Sequence, residues 1–263
     1  MSLQDGVWSA RWKAAGGVGR AIGRGLTDLL LPTLAHDTPR ATATPGLTAA
    51  AWSRITFLED PVCDGCGAGF AADAGDFAGR CAACMAEPYL FARARAACVY
   101  DDASRDLILQ LKHGDHQPFA PLFARWISRA AAPLLDEADA IVPVPLHPLR
   151  LLSRRFNQSA EIARPLAKAT GVPFLPDTLN RLTHTASQGG KSARGRRLNV
   201  KKAFAVTAAG ARRVEGRRIL LVDDVLTTGA TAGACARALM DAGATAVDLA
   251  VVARVRSARQ LPT

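Results

Sequence analysis

The chain has 263 residues, of which 49% are hydrophobic, enough for one α/β domain of ordinary size and a smaller appendage. Its formal net charge of +10 favours anionic ligands such as nucleotides, pyrophosphate or nucleic acid. No apolar run approaches the roughly 18 residues that a membrane span needs. Gly, Arg and Asp interrupt the stretch up to Leu34, so it lacks the core of a secretory signal. We therefore expect a soluble, cytoplasmic protein without a membrane span.

Residues 1–50 form an N-terminal extension of low complexity. Apolar residues recur at helical spacing and predict a weak amphipathic helix, on the face formed by Val18, Ile22, Leu26 and Leu29 or Leu30. The stripe is short and broken by glycine, which favours packing on the body or on a partner protein over a membrane surface. The Thr, Pro and Ala content of residues 36–48 indicates a linker.

Residues 51–95 contain two C-x-x-C pairs, Cys63–Cys66 and Cys81–Cys84, separated by fourteen residues and surrounded by glycines. Without an export signal, this pairing favours metal over disulfide or redox use. Four thiolates at this spacing can converge tetrahedrally on a structural zinc ion, which leaves no open position for catalysis. The two remaining cysteines, Cys98 and Cys235, lie in apolar segments and are interpreted as packing residues.

Residues 96–263 alternate between apolar strands and helices. In chain order the patterns predict a strand at 96–100, a helix capped by Ser104 and ending at Lys112, a helix at 119–135, a strand at 141–145, a helix at 157–170 closed by Gly171, a strand at 218–222, a helix at 231–242 and a strand at 246–255. This alternation predicts an α/β fold with a doubly wound parallel sheet. Ligands of such sheets bind at the carboxyl ends of the strands, where His147, Asp223 and Asp224 fall.

One of these strand ends carries the strongest functional signal. The predicted strand ends at Val222 and is followed by Asp223 and Asp224. After one more residue come the turn and the start of a helix, Leu226-Thr227-Thr228-Gly229-Ala230-Thr231. A hydroxyl-rich turn before a helix N-terminus offers several donors to a phosphate, and the two carboxylates can accept hydrogen bonds from vicinal ribose hydroxyls. Neither G-x-x-x-x-G-K-[ST] nor G-x-G-x-x-G occurs in the chain. The combination predicts a ribose-5-phosphate site, against the alternative of an acidic strand end that precedes a capped helix.

This segment resembles the signature of the type I phosphoribosyltransferases. The resemblance implies that Asp223 and Asp224 contact the ribose 2′ and 3′ hydroxyls, that the loop holds the 5-phosphate, and that magnesium accompanies the pyrophosphate. It therefore implies phosphoribosyl pyrophosphate, or a related nucleotide, as the ligand.

Two further segments narrow the resemblance to the ComF branch of that family. Pro143-Val144-Pro145-Leu146-His147, then Arg150 and Arg155-Phe156-Asn157-Gln158, is similar to the branch's usual V-P-V-P-L-H and R-G-F-N-Q wording, with Arg155 in place of glycine. The spacing of Arg181, Thr185, Gln188, Arg196, Asn199 and Phe204 is similar to the family's hood loop. The ComF pattern is also similar in an earlier element, Lys112-x-Gly114-Asp115, which is preceded by Tyr100 and Arg105. The cysteine pairs resemble the zinc ribbon of that branch.

The resemblance and the charge leave three functions open. As a transferase, the protein would pass phosphoribose to a nitrogen acceptor, with Lys112, Arg150, Arg155 or the basic hood on the leaving pyrophosphate; His147 either touches pyrophosphate or is merely solvated. As a DNA-uptake factor of natural competence, it would bind single-stranded DNA, consistent with eleven Lys or Arg and one acid from Arg181 to Arg218. Low aromatic content, 6%, counts against base stacking. As a sensor, it would bind a nucleotide without turnover.

Overall fold

A computed structural model describes residues 46–70, 79–112, 119–146, 156–182 and 203–256, apart from the side chain of Lys112. The chain divides between Trp52 and Ser53 into two compact units. The described part of the first unit holds one short helix, α1 (Ala49–Trp52), and the Thr48 hydroxyl accepts a hydrogen bond from its Ala51 N–H. The predicted amphipathic helix at 18–30 lies outside the described residues. Within the described ranges, no helix has the length and apolar character needed to cross a bilayer.

The second unit combines six strands and seven helices in its described ranges. The strands are β1 (Ala94–Val99), β2 (Ala140–Pro143), β3 (Leu179–Arg181), β4 (Phe204–Val206), β5 (Arg218–Leu226) and β6 (Ala246–Arg254). The helices are α2 (Ala82–Ala86), α3 (Asp102–Lys112), α4 (Phe119–Ala130), α5 (Ala132–Leu135), α6 (Gln158–Thr170), α7 (Ala208–Val214) and α8 (Ala230–Asp241).

Four strands form one parallel sheet in the order β1-β6-β5-β2. Leu226, at the end of β5, lies opposite Arg254, at the end of β6, and Pro143 of β2 lies opposite Val222. The carboxyl ends of the strands therefore meet at one edge, where a parallel sheet presents its ligand site. The short strands β3 and β4 pair antiparallel in a separate ribbon.

Helices cover both faces of the parallel sheet. On one face α4 packs against β1 and β6, and α6 packs against β2 and β5. On the other face, α8, the end of α7 and the β3–β4 ribbon share one hydrophobic core with alternate strand residues, among them Val142, Ile219, Leu221, Leu249 and Val251. This arrangement confirms the predicted doubly wound α/β fold.

Three predicted elements differ from the structure by more than a shift of one or two residues at an end. Helix α3 begins at Asp102, and Asp101 caps it by accepting a hydrogen bond from the Ser104 N–H at 3.0 Å, so the prediction of Ser104 as the cap was wrong. The helix predicted at 119–135 is two helices, because Pro133 has no N–H to donate and is tolerated only in a first turn. Strand β5 continues past Val222 to Leu226.

Candidate functional site

The loop between β5 and α8 has the form of a phosphate-binding turn. The strand ends at Leu226, and Gly229 precedes the first residue of α8 with a φ of 77°, a left-handed conformation that suits glycine. The Thr228 hydroxyl accepts a 3.4 Å hydrogen bond from the Ala230 N–H. We call residues 227–229 the phosphate loop, after the ligand predicted for it. The loop brings backbone N–H groups to the positive end of a twelve-residue helix.

A pocket with about 300 Å³ of empty space opens beside this loop. Its polar lining comes from the strand end and the loop, and its floor comes from the neighbouring strand, as follows: Asp223, Val225, Leu226, Thr227, Gly229, Thr231, Ala232, Leu249 and Val251. That volume includes space that is open to solvent. A carboxylate and two threonines thus face one cavity.

The first turn of α6 holds both acids of β5. Asp223 accepts hydrogen bonds at 2.9 Å from the Ser159 hydroxyl and at 2.9 Å from the Asp224 N–H. Asp224 is only 7% exposed, and its carboxylate accepts from the Val225 N–H at 2.7 Å and lies 3.5 Å from the Gln158 amide nitrogen. The acids therefore stand within the strand rather than beyond its tip, with their carboxylates orientated by a helix 64 or more residues away in sequence.

Asn157 fixes the start of α6. Its side-chain oxygen accepts a hydrogen bond from the Ser159 N–H at 3.1 Å, as expected of an N-cap. Its amide group also donates to the Val144 carbonyl at 3.0 Å, just after β2. Asn157 and Gln158 were predicted only as part of the family resemblance, and Ser159 was not predicted. A helix-capping asparagine next to a predicted ligand edge was the available signal.

The structure brings together some of the predicted site residues. Arg181 and Phe204 are paired across the β3–β4 ribbon, with the guanidinium 5.4 Å from the ring centroid. Five of the predicted residues in 222–231 line the pocket, namely Asp223, Leu226, Thr227, Gly229 and Thr231, whereas Val222, Asp224, Thr228 and Ala230 do not. The other predicted members lie outside the described residues: the Lys112 side chain, His147, Arg150 and Arg155, and, in the hood loop, Thr185, Gln188, Arg196 and Asn199.

The four predicted metal ligands converge. The sulfur atoms of Cys63, Cys66, Cys81 and Cys84 all lie within 4.8 Å of one another, and the Cys66 and Cys81 sulfurs are 3.9 Å apart. A tetrahedral zinc site with Zn–S bonds of about 2.3 Å has S–S edges of about 3.8 Å. The donor set and its spacing therefore fit a four-thiolate metal ion such as zinc.

The turns around these cysteines bring the sulfur atoms together and pack against the sheet. In the first pair, the Cys63 N–H donates to the Ala68 carbonyl at 2.7 Å, and Gly67 has a φ of 66°. A Cβ at Gly67 would lie 3.1 Å from the Ala94 carbonyl oxygen, so the turn rests directly on the backbone of β1. We call residues 61–70 and 79–93 the cysteine module.

A buried arginine from the sheet completes the environment of the cluster. The Arg254 guanidinium, at the end of β6, donates to the Cys66 sulfur at 3.1 Å, and the residue is only 5% exposed. A hydrogen bond from Cys63 and the charge of Arg254 lower the pKa of Cys66. The hydrogen bond to Cys66 and burial raise the pKa of Cys63 to about 12. Cys66 therefore loses its proton more readily than Cys63, and a metal cation would favour the thiolate form of all four cysteines by replacing their protons.

The two remaining cysteines do not belong to the cluster. Cys98 lies in β1 and donates to the Val252 carbonyl at 3.3 Å, while Cys235 lies in α8. Both are 0% exposed, and burial raises the pKa of Cys98 to about 12 and that of Cys235 well above its usual value. Both serve as packing residues, as predicted.

Comparison with known proteins places these features in context. A model described as "Phosphoribosyl transferase domain" matches residues 166–263. Over 194 residues the chain is 31% identical to Competence protein F of Haemophilus influenzae, covering 66% of this chain and 84% of that protein. It is 32% identical over 174 residues to DNA utilization protein YhgH of Escherichia coli, covering 64% and 75%. Competence protein ComFC of Streptococcus pneumoniae is 29% identical over 150 residues, covering 57% and 63%.

Proposed function

Because this chain belongs to the ComF family of phosphoribosyltransferase-like proteins, we propose that it binds phosphoribosyl pyrophosphate in the pocket beside residues 222–231. The observation that carries the proposal is the joint presence, in one cavity, of a helix-start phosphate loop and the Asp223 carboxylate. Few ligands present both a phosphate monoester and a vicinal diol, and ribose 5-phosphates are among them.

The loop supplies the donors for the 5-phosphate. Backbone N–H groups at the start of α8 have no partner within the helix ladder, and the helix dipole adds partial positive charge there. Thr227 and Thr228 are exposed and Thr231 lines the pocket, so their hydroxyls can complete the phosphate shell. A phosphate held in this way does not need the lysine of a P-loop (Walker A) motif.

The two carboxylates would bind the ribose hydroxyls, which are hydrogen-bond donors, rather than the phosphate. Hydrogen bonds from the Ser159 hydroxyl and the Asp224 N–H orient the Asp223 carboxylate, which lines the pocket and would accept from a ribose hydroxyl. Asp224 is more deeply buried, and its bonds to the Val225 N–H and the Gln158 amide set its plane. Ionised acceptors in a partly buried pocket bind hydroxyl donors strongly, which favours a diol over a second phosphate.

Two metal ions belong to the proposal. We propose structural zinc at the four cysteines, where the sulfur spacing fits the ion. Magnesium would come with the diphosphate, and the Asp223 carboxylate offers the hard oxygen donor that this ion prefers. When bound, magnesium neutralises part of the charge on the diphosphate.

In a transferase reaction, the C1–O bond to pyrophosphate breaks and a bond from a nitrogen acceptor to C1 forms. The acceptor loses a proton, and the leaving pyrophosphate carries away the electron pair of the broken bond. The chain's part is to hold the sugar so that positive charge can develop at C1, near the carboxylates, while cations stabilise the leaving group. The lining of the described pocket contains no side chain that singles out one nitrogen base.

Isothermal titration with phosphoribosyl pyrophosphate, with and without Mg²⁺, tests the binding site. The double variant Asp223→Asn, Asp224→Asn should lose binding, because amides replace the two ionised acceptors at nearly constant shape. Asp241→Asn is the matched control, since it makes the same change at an exposed position at the other end of α8. An unchanged isotherm in the double variant contradicts the site assignment.

Release of pyrophosphate across a panel of bases and amines then decides between a transferase and a nucleotide-binding sensor. A transferase releases pyrophosphate with at least one nitrogen acceptor, and the double variant does not. Binding without release across the whole panel supports the sensor.

A second candidate function is the handling of single-stranded DNA, which the names of the relatives, competence and DNA utilization, favour. The stretch from Arg181 to Arg218 contains eleven Lys or Arg and one acid, a charge excess that suits a polyanion. If this stretch binds phosphates, affinity for an oligonucleotide should fall steeply with salt concentration.

Removing positive charge from this basic stretch tests whether it is the surface that binds the oligonucleotide. The fourfold variant Lys191→Gln, Arg194→Gln, Arg196→Gln, Arg197→Gln should weaken oligonucleotide binding and flatten its salt dependence. A control with equal charge loss, Arg125→Gln, Arg129→Gln, Arg164→Gln, Lys168→Gln on α4 and α6, should bind more nearly as the parent does. Equal losses in the two variants indicate net charge alone and contradict a dedicated surface.

A further inference from the structure

The phosphate loop is held at both ends by groups that also contact the cysteine module. At its start, Leu226 lies opposite Arg254, and the Val255 N–H donates to the Leu226 carbonyl at 3.0 Å. The same Arg254 donates through its guanidinium to the Cys66 sulfur at 3.1 Å. One residue of β6 therefore touches both the strand that leads into the loop and the metal-ligand cluster.

At the end of the loop the contact is an aromatic ring. A Cβ placed on Gly229 would overlap Cε1 of Tyr89 and lie 2.8 Å from its Cδ1. The Tyr89 ring is therefore in direct contact with the backbone at the left-handed turn that starts α8. Tyr89 belongs to the cysteine module, five residues beyond the last ligand, Cys84, and packs against the cysteine cluster and against the core below α8.

The position of Tyr89 is itself fixed. Its ring stacks on Phe91 with centroids 4.7 Å apart and planes at 11°, and Phe91 is only 2% exposed in the core of the sheet. A stacked aromatic pair anchored in a core has little rotational freedom, so the ring cannot move away from Gly229 without disturbing Phe91. The loop thus has a rigid wall on the side of the cysteine module.

From these contacts we infer that Tyr89 and Arg254 are positioning residues through which the cysteine module sets the conformation of the phosphate loop, so that metal binding and phosphate binding are coupled. The inference rests on the proposed phosphoribosyl site. Small metal modules fold only when their metal ion is bound, because too little apolar surface is buried otherwise. Loss of the metal therefore removes the packing of the cysteine cluster against Tyr89, which leaves the ring held by Phe91 alone on that side, and it loosens the contact between Cys66 and Arg254.

Coupling between two sites is reciprocal, which gives the inference two independent measurements. Zinc should raise the affinity for phosphoribosyl pyrophosphate, and phosphoribosyl pyrophosphate should raise the affinity for zinc by the same factor. We expect a factor of about 5 or more, within the usual range of such couplings. Calorimetry on the zinc-loaded and chelator-treated full chain gives the first, and competition with a chromogenic chelator gives the second.

Three variants separate positioning from folding. Zinc-loaded Tyr89→Ala should retain its metal by elemental analysis but bind phosphoribosyl pyrophosphate about 5-fold or more weakly, and its coupling factor should fall towards one. Tyr89→Phe keeps the ring and should restore both values. Leu90→Ala is the matched control, because Leu90 is half-exposed and faces Gly233 in the body of α8 rather than the loop.

The outcomes distinguish this inference from the proposed function. If zinc-loaded parent protein does not bind phosphoribosyl pyrophosphate, the proposed function and the inference both fail. If the parent binds and zinc-loaded Tyr89→Ala binds as tightly, the proposed function stands and the positioning role is overturned. Equal affinity in the zinc-loaded and metal-free parent overturns it as well.

Discussion

The Ser159 hydroxyl donates a 2.9 Å hydrogen bond to Oδ1 of Asp223 and so links the first turn of α6 to the carboxylate that faces the pocket. Ser159 is 1% exposed, which means that water cannot readily replace the hydroxyl if it is removed. A hydrogen bond to a charged group contributes about 1.5–3 kcal/mol. The orientation of Asp223 therefore depends on a residue that need not touch the ligand.

Ser159→Ala should lower the affinity for phosphoribosyl pyrophosphate about tenfold, because Asp223 loses one of the donors that fix its plane. Calorimetry measures this directly. Thr170→Val is a suitable control, since it removes a hydroxyl at the other end of α6 that bonds to the Leu166 carbonyl and the Val172 N–H, neither of which lines the pocket. If the two variants bind equally, Ser159 has no part in positioning Asp223.

Two glycines near the start of α8 should respond in opposite ways to alanine. Gly229→Ala places a Cβ against Tyr89 and at a φ of 77°, where the backbone alone costs about 1–2 kcal/mol, so phosphate affinity should fall more than tenfold. Gly233→Ala meets only the Leu90 side chain at 3.6 Å and should stabilise the helix by about 1 kcal/mol. Thermal unfolding and ligand titration of both variants make the comparison, and a normal affinity in Gly229→Ala would contradict the described loop.

Thiol alkylation should divide the six cysteines into two groups. Burial raises the pKa of Cys98 to about 12, so this thiol stays protonated and unreactive at neutral pH, and Cys235 behaves alike. With zinc bound, we expect iodoacetamide to modify none of the six at pH 7.5. Chelation should unpack the module, which removes the hydrogen bond and the burial that raise the pKa of Cys63, so mass spectrometry should then find label on Cys63, Cys66, Cys81 and Cys84 alone. Label on all six would indicate global unfolding, and label on the four before chelation would contradict a metal site.

An ion-pair network at the opposite end of the sheet should affect stability without affecting ligand binding. Asp248 is 1% exposed and accepts hydrogen bonds from Arg93 at 2.9 Å and from Arg218 at 2.8 Å. Asp248→Asn removes the buried anion between the two cations and leaves them only the half-exposed Glu137, which costs about 2–3 kcal/mol after allowance for their partial exposure. Urea unfolding should show a lower midpoint with an unchanged slope. A parallel drop in ligand affinity of the folded protein would contradict this separation.

The sequence predicted the features that are encoded locally. Helix α6 was predicted at 157–170, and its closure by Gly171 is confirmed, with a φ of 77°, whereas the Asn157 cap was not predicted. The convergence of the four cysteines was predicted from their spacing in a chain without an export signal. The role of residues 222–231 in ligand binding stays a prediction, although their strand, turn and helix are those that the sequence indicated.

The contacts that shape the site could not be predicted in this way. Ser159 and Asp223 are 64 residues apart, and Cys66 and Arg254 are 188 apart. Such pairs depend on strand order and register, which short-range periodicity does not contain. Tyr89 lay in a segment with few apolar residues, where nothing in the pattern linked it to a glycine 140 positions later. Its role became visible only from the path of the backbone at Gly229.

The strand order β1-β6-β5-β2 also constrains how the chain reaches this structure. Among the described strands, β1, which directly follows the cysteine module, pairs in the sheet with β6, and an isolated bridge joins its Cys98 to Phe57. During synthesis the four cysteines of the cluster leave the ribosome more than 150 residues before Arg254, so the module must wait for that part of its docking surface. A nascent chain that ends before Ala246 can pair β2 with β5 but leaves β1 outside the sheet. The arrangement of the predicted ligand site therefore depends on contacts of high sequence separation, which form only after β6 has been made.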